Sequence, residues 1–251
     1  MKVLLVNDDG FGAIGIQSLM QAFDKGDYFV VAPTSEQSAK GHSFTMGEPL
    51  YLNSFDNNCY HLSGTPADCT YFGLNKICPT VDVVISGINM GANLGTDIYY
   101  SGTVAAAREG FLKGKLSFAF SVLENIQYEH PEQRVEVYRK AAHLARKLVA
   151  QLAGLHSVPA LWNVNFPASA LLNGEPKIIV KPLGHREYKS HVEERIDPRG
   201  RKYYWIGGPP IPMEKSDTDI YWCEQGYVVL TPLQIDCTDR DAIASLSTMT
   251  F

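Results

Sequence analysis

The chain lacks long apolar runs and the marks of an exported protein. No apolar run reaches the roughly 18 residues that a bilayer-spanning helix requires. The N-terminus has neither the long apolar segment nor the small-residue cleavage site of a signal peptide. The five cysteines are scattered and never spaced as C-x-x-C, which indicates reduced thiols, not a disulfide framework or a zinc site. We therefore expect a cytoplasmic protein with no membrane partner.

Excess positive charge and several catalytic signatures are also missing. The 251 residues include 22 Lys and Arg against 27 Asp and Glu, a formal net charge of -5. This balance argues against a protein that coats a nucleic-acid polymer, although one small anionic substrate could still occupy a locally positive pocket. The sequence has no Walker loop, no dinucleotide-binding glycine motif and no G-x-S-x-G elbow. P-loop, dinucleotide-binding and serine-hydrolase chemistry are therefore not indicated.

Strand-like and helix-like stretches alternate over the first 165 residues or so. Strands are predicted at Val3–Asn7, Tyr28–Pro33, Asp82–Gly87, Leu116–Val122 and Leu161–Pro167. Helices are predicted at Ile14–Phe23, from an N-cap at Thr103 to a stop at Gly114, and at Pro131–Ala153. Apolar strands that alternate with helices predict an α/β fold with a mainly parallel sheet covered by helices on both faces.

The predicted secondary structure changes after Pro167. Three segments, "KIIVKPLG", "RKYYWIGG" and "GYVVLTPL", are typical of strands, and clear helices are not indicated. The stretch "HREYKSHVEERIDPRG" is mixed in charge and predicts a solvated hairpin, with substrate contact by its arginines or Tyr188 as the alternative. We expect one domain over residues 1–251, with a core at about 1–167 and a β-rich extension at about 168–251.

Two adjacent acids, Asp8 and Asp9, follow the first predicted strand in the motif "NDDG". One explanation is that they cap the next helix, and a second is that they share a proton as an acid–base pair. The third is a divalent cation, which two carboxylates would neutralise, and hard oxygen ligands suit Mg²⁺ or Mn²⁺. We favour the cation, because two adjacent acids exceed what a helix cap needs.

Further oxygen ligands follow the neighbouring strands. Ser35 and Ser38 lie in the loop after the second strand, and Asn89 follows the third. Because ligands bind at the carboxyl ends of parallel strands, these side chains are expected near the aspartates. The alternative for each is a turn residue that bonds its own backbone. The residues alone do not decide between Ser35 and Ser38.

A possible anion site lies at the start of the helix near Thr103. Ser101, Gly102 and Thr103 offer hydroxyls and free N–H groups at a positive helix end, although plain N-capping is the alternative. His42 shares the loop of Ser38. It is a candidate proton donor to a leaving group, or an ordinary loop histidine.

With these residues assembled, the sequence resembles the SurE family, stationary-phase survival proteins that act as metal-dependent nucleotidases. The resemblance rests on seven segments in the family's order, from Met1 to about Leu233: "NDDG", "VVAP" with "SEQSAKGHSFT", "GTPADCTYFGLN", "VDVVISGINMGANLGTDIYYSGTVAAAREG", "LWNVNFP", "DPRGRKYYWIGG" and "GYVVLTPL". The segment after about Asp236 has no clear counterpart.

The resemblance implies a Rossmann-like α/β fold with a β-hairpin region that serves in homodimers or homotetramers. It implies hydrolysis of nucleoside 5′- and 3′-monophosphates, and in some members of short polyphosphate. One divalent cation, Mg²⁺ or Mn²⁺, would bind Asp8, Asp9, Ser38 and Asn89, with Asp8 and Asp9 as the catalytic pair. Phosphate contacts would come from Asn93, Ser101, Gly102 and Thr103.

Two rival functions remain open at this stage. A nucleotide-sensing protein would bind the same ligands without hydrolysing them. A phosphatase of the haloacid-dehalogenase type would use an aspartate nucleophile in a D-x-D motif, which the adjacent Asp8 and Asp9 do not fit.

Overall fold

Eleven strands and seven α-helices form the part of the chain that the structure, a computed structural model, describes: residues 1–155, 160–211 and 217–249. The strands are β1 Val3–Val6, β2 Tyr28–Pro33, β3 Leu52–Asp56, β4 Cys59–Leu62, β5 Val83–Met90, β6 Leu116–Leu123, β7 Leu161–Pro167, β8 Ile178–Val180, β9 His191–Ile196, β10 Lys202–Gly207 and β11 Val228–Leu233. The α-helices are α1 Ile14–Ala22, α2 Pro66–Phe72, α3 Gly102–Leu112, α4 Pro131–Ala153, α5 Ala168–Leu172, α6 Asp219–Glu224 and α7 Arg240–Leu246. A π-helical turn covers Gly73–Ile77 and a 3-10 turn covers Gly95–Tyr99.

Nine strands form one sheet in the order β3-β4-β2-β1-β5-β6-β7-β11-β8. The run from β4 to β7 is parallel throughout, so these strands end at the same edge. Strand β3 is antiparallel to β4, and β11 is antiparallel to β7. Strands β9 and β10 form a separate antiparallel hairpin, as the sequence predicts. The α/β architecture with a mainly parallel sheet is therefore confirmed.

Strand β1 shows why the apolar runs form central strands. Val3 and Leu5 belong to the hydrophobic core on one face of the sheet, while Leu4 and Val6 belong to the core on the other. Neighbouring strand residues point to opposite faces, so a strand buried on both sides must be apolar at every position. Helices α1 and α4 cover the first face, and α2 and α3 cover the second.

Several predicted boundaries match the structure and others shift. Strands β2 and β7 and helix α4 have the predicted limits, whereas β1 ends one residue early at Val6 and β5 continues to Met90. Helix α3 begins at Gly102 with Ser101 as its N-cap, so the prediction of Thr103 as N-cap was wrong. The Ser101 hydroxyl accepts the Val104 N–H at 3.0 Å, and this bond fixes the start of the helix.

The last third of the chain contains more helix than predicted. Helices α5, α6 and α7 lie there, so the expectation that clear helices are absent was wrong. Each spans two turns or fewer, and a segment this short carries no readable apolar period. Strands β8 and β11 extend the main sheet, while the β9–β10 hairpin stands apart from it. In the described part of the chain, no helix is long and apolar enough to cross a membrane.

Candidate active site

A cleft of about 480 Å³ lies at the carboxyl edge of the sheet, where β1 and β5 end. It is lined by Asp8, Ser38, Ala39, Asn89, Met90, Ala92, Asn93, Asp97, Tyr100, Ser101 and Tyr188. Five of these residues are sequence-predicted site residues, and they come from three separate segments of the chain. A larger cleft of about 640 Å³ beside Arg108 and Lys181 contains none of them. The smaller cleft is therefore the candidate site.

Asp8 is buried and held by the start of helix α3. The Thr103 hydroxyl donates a hydrogen bond of 2.6 Å to Asp8 Oδ1. A Cβ atom built on Gly102 would lie 3.0 Å from both Cβ and Oδ2 of Asp8, so a larger residue would force Asp8 or the helix to shift by a few tenths of an ångström. Burial raises the pKa of Asp8, and hydrogen bonds from the Thr103 side chain and backbone oppose that rise. The positive helix end therefore stabilises this carboxylate directly.

Asp9 is half-buried and carries the more exposed negative charge of the pair. Burial, followed by the charge of Asp8, raises the pKa of Asp9 to about 6. Glu36 adds to the rise, while the Met90 N–H and the charge of Arg134 oppose it. The charge of Asp8 therefore adds to burial in disfavouring the ionised form of Asp9. A positive charge near the cleft would oppose this effect.

The two serines in the loop after β2 make different contacts. Ser38 lines the cleft and its hydroxyl donates to Glu36 at 2.8 Å, whereas the Ser35 hydroxyl accepts a hydrogen bond from the Gln37 side chain. The Gln37 N–H donates to the Asp8 carbonyl at 2.8 Å and joins this loop to the end of β1. Glu36 was not among the predicted site residues, although it stands between Ser35 and Ser38 in the sequence.

Asn89 and Asn93 are both fixed by their surroundings. Asn89 follows an irregularity in the pairing of β5 with β6, and its Nδ2 donates to the Gly91 carbonyl at 2.7 Å. The Asn93 side chain donates to Ser121 Oγ at 2.7 Å. Asn163 and Asn165, the two asparagines of "LWNVNFP", donate to the Asn93 carbonyl at 2.8 and 3.0 Å. Strand β7 therefore positions the loop that carries Asn93.

Besides Asp9, which lies beside the cleft, three predicted site residues do not line it. Thr103 is completely buried, and its hydroxyl is directed at Asp8. Gly102 packs against Asp8. The His42 Nε2 lies 3.3 Å from Oε2 of Glu109, a buried acid on α3. The geometry thus gives Gly102 and Thr103 a positioning role toward Asp8, and it places His42 against the side of the helix.

Asp68 anchors the far end of the loop that carries Ser38. This buried carboxylate accepts the Thr45 hydroxyl at 2.6 Å and the Thr65 N–H at 2.8 Å. Thr65 and Asp68 also form the capping box of α2. We expect Asp68→Asn to loosen the loop and to lower the free energy of unfolding by about 1–3 kcal/mol. Urea unfolding measures the loss, and limited proteolysis should then cut near Thr45 first. Unchanged stability and an unchanged cleavage pattern would contradict this role.

The donor set around the cleft consists of oxygen atoms. Among the described residues, no group of three or more His, Cys, Asp or Glu side chains could hold a metal ion. A cation at this site would therefore rely on two carboxylates together with hydroxyl and amide oxygens, the ligand chemistry of Mg²⁺ or Mn²⁺ and not of zinc.

The fold and the cleft define a doubly wound α/β protein with an acidic cleft at the carboxyl edge of its parallel strands. The sequence model of the family described as Survival protein SurE matches residues 3–190. This chain belongs to the SurE family.

Individual relatives cover nearly the whole chain. The protein named 5′-nucleotidase SurE from Vibrio cholerae serotype O1 (strain El Tor Inaba N16961) is 40% identical over 253 residues, 98% of this chain and 96% of the relative. The protein of the same name from Geotalea daltonii is 39% identical over 251 residues, 98% of each chain. A crystal structure of the Sure protein from Aquifex aeolicus superposes with a TM-score of 0.81 at 37% identity, covering 98% of each chain.

Proposed function

We propose that this protein is a metal-dependent phosphomonoesterase that hydrolyses nucleoside 5′-monophosphates. Nucleoside 3′-monophosphates and short polyphosphate are included in the proposal as further substrates. The observation that carries it is the convergence of Asp8, Ser38 and Asn89 on one cleft, with Asp9 beside it. The name 5′-nucleotidase SurE, borne by relatives about 40% identical to this chain, supports the same activity.

The residues of the cleft, together with Asp9 beside it, fit one divalent cation, Mg²⁺ or Mn²⁺. Asp8 and Asp9 would supply two charges, and Ser38 and Asn89 two neutral oxygens. The Asn89 amide nitrogen already donates to Gly91, which leaves its oxygen as the free end of the side chain. When bound, such a cation withdraws charge from phosphoryl oxygens and lowers the pKa of water.

The remaining residues would bind and orient the phosphoryl group. Asn93 and the Ser101 segment line the same cleft, with N–H groups of the helix start nearby. Thr103 holds Asp8 in place. In hydrolysis, water adds to phosphorus, the ester P–O bond breaks, and the nucleoside leaves with a proton. His42 lies outside the cleft lining, so the proposal assigns it no step.

A single assay tests the activity against its alternatives. The pure protein is incubated with AMP and Mn²⁺ or Mg²⁺, and then with excess EDTA. We expect phosphate release that EDTA abolishes and that fresh Mn²⁺ restores. AMP binding without release would identify a nucleotide sensor, and a trapped phospho-enzyme would identify an aspartate nucleophile. Either result would overturn the proposal.

The raised pKa of Asp9 gives a prediction for the protein in chelator. The pKa of about 6 lies above the ordinary aspartate value of 3.8, so stability from Asp9 is present at low pH and lost as pH rises through 6. Asp9→Asn should therefore stabilise the protein by about 1 kcal/mol near pH 7.5, a figure reduced for partial exposure, and by about zero near pH 4. Urea unfolding at both pH values measures the difference.

The exposed Asp27, on the loop before β2, provides the control. Asp27→Asn should change stability little at either pH. Added Mn²⁺ should then stabilise the wild-type protein more than Asp9→Asn, reversing their order near neutral pH. An Asp9→Asn variant that is less stable than wild type in chelator at both pH values would contradict the prediction.

We also propose that the protein assembles as a homodimer or homotetramer through its β9–β10 hairpin. Val192, Trp205 and Ile206 are exposed there, Ile206 to 89%. Val192 and Ile206 are cross-strand partners on one face of the hairpin, and an exposed apolar face of this kind is typical of a protein–protein contact. Light scattering of the eluted protein should give two or four times the chain mass of 27.8 kDa. A monomeric mass would contradict this proposal.

A further inference from the structure

Asp97, Tyr100 and Tyr188 line the candidate active site but have no part in the proposed phosphate chemistry. Tyr188 is 46% exposed and Tyr100 is 71% exposed. Tyr100 immediately precedes Ser101, the N-cap of α3, so its ring stands close in the chain to the proposed phosphate site. The cleft therefore has an aromatic part next to its acidic part.

The segment that carries Tyr188 is firmly tied to the 3-10 turn at Gly95–Tyr99. The buried Asp219 carboxylate accepts N–H groups from Gly95 and Gly184, each at 2.7 Å. A Cβ atom on Gly95 would lie 2.6 Å from the Gly184 carbonyl oxygen, so the two backbones are in direct contact. The aromatic part of the cleft is consequently built from two segments that are joined before any ligand arrives.

The Tyr188 ring is held at its hydroxyl and covered on one side. Its hydroxyl donates to Asp97 Oδ1 at 2.8 Å, and Arg186 donates to Asp97 Oδ2 at 3.0 Å. The Arg186 guanidinium carbon lies 5.9 Å from the centre of the Tyr188 ring. Burial and the bond to Asp97 raise the pKa of Tyr188 to about 12, so the hydroxyl stays protonated. The Tyr188 ring is thus held in a fixed position in the wall of the cleft, with part of its surface exposed.

Tyr100 is connected to the loop that carries Ser38. Its carbonyl accepts the Gly41 N–H at 3.0 Å, and its own N–H donates to the Asp97 carbonyl at 3.0 Å. The residue thus lies between the Ser38 loop and the turn that carries Asp97. A ligand that contacts Ser38 with one end has the Tyr100 ring within the same cleft.

We propose that Tyr100 and Tyr188 form a stacking surface for the base of the nucleotide, and that they select nucleotides over base-free sugar phosphates. This inference rests on the proposed function. Both oxygens of Asp97 accept bonds from Tyr188 and Arg186, so Asp97 is a positioning residue for the ring. Stacking contacts the face of a base and not the hydrogen-bonding groups on its edge. Selection among the bases is therefore weak.

The experiment compares AMP with ribose 5-phosphate, which has the same phosphate and sugar but no base. For Tyr188→Ala and Tyr100→Ala we expect kcat/KM with AMP to fall about tenfold, mostly through KM, as loss of one stacking contact predicts. Activity with ribose 5-phosphate should stay within about twofold of wild type. Tyr188→Phe keeps the ring and should retain most of the preference for AMP.

Tyr51→Ala serves as the matched control, because Tyr51 is an exposed tyrosine outside the cleft lining. This variant should leave the activity on both substrates unchanged. An unchanged ratio of AMP to ribose 5-phosphate activity in both alanine variants would overturn the stacking surface. Equal losses on the two substrates would also overturn it, since they indicate a purely structural role.

Failure of the proposed function is distinguishable from failure of this inference. If the wild-type protein hydrolyses neither substrate, the phosphomonoesterase proposal falls. Equilibrium dialysis with AMP and with ribose 5-phosphate then tests the stacking surface separately. Tighter binding of AMP that Tyr188→Ala and Tyr100→Ala abolish would support it, and equal binding of both ligands would refute it.

Discussion

Asp8→Asn is expected to lower phosphate release from AMP by about a hundred- to a thousandfold while the protein keeps its fold. The asparagine oxygen can still accept the Thr103 hydroxyl, which donates at 2.6 Å to the aspartate, so the packing of α3 on β1 is preserved. What the variant loses is one of the two charges available to a cation. We therefore expect Mn²⁺ binding, measured by titration calorimetry, to weaken in parallel with kcat.

The control for this variant is again Asp27→Asn, which changes the same net charge on the exposed surface. It should retain wild-type turnover and Mn²⁺ affinity. Thermal unfolding in chelator should show that Asp8→Asn is as stable as wild type or more stable, because burial raises the pKa of Asp8. Full phosphatase activity in Asp8→Asn would refute the assignment of this residue.

Gly102→Ala should cause a second large loss of activity, although it removes no polar group. Its new Cβ atom would stand 3.0 Å from Asp8 Cβ and Oδ2 and 3.1 Å from Pro66 Cγ, so the carboxylate or the helix must move. Displacement of a catalytic group by a fraction of an ångström predicts a fall in kcat/KM of about ten- to a hundredfold. The overpacked contact should cost about 1–3 kcal/mol of stability.

Gly12→Ala is the matched control for this substitution. Gly12 lies in the loop that follows the aspartates, and a Cβ atom there would meet nothing within 4 Å. Its kinetics and unfolding should match wild type. If Gly102→Ala shows wild-type kcat/KM and unaltered stability, then α3 does not hold Asp8 in the way that the structure indicates.

The parallel core was predictable because its strands are apolar at every position and its helices are long. Alternation of these elements implies a shared carboxyl edge, and that rule predicts from the sequence that Asp8, Ser38 and Asn89 lie together. The structure confirms their proximity, since all three line one cleft. Their roles toward a cation and a phosphate stay predictions.

The role of Thr103 was not predictable from its local sequence. A hydroxyl at a helix start suits a cap, an anion or a neighbouring carboxylate equally well. The choice depends on how α3 meets β1, whose Asp8 is 95 residues away in the chain. The hairpin of β3 and β4 was missed for a different reason: every residue of β3 is exposed, so it carries no apolar pattern.

The hydrogen bonds that Gly95 and Gly184 donate to Asp219 make the two parts of the cleft depend on different stretches of the sequence. The acidic part of the cleft is encoded within the first 101 residues, whereas the Tyr188 ring depends on a carboxylate 124 residues beyond Gly95. Substitutions around Asp219 therefore act on the aromatic part without touching the aspartates. We expect substitutions at Asp219 or Gly184 to alter substrate preference while the acidic part of the cleft stays the same.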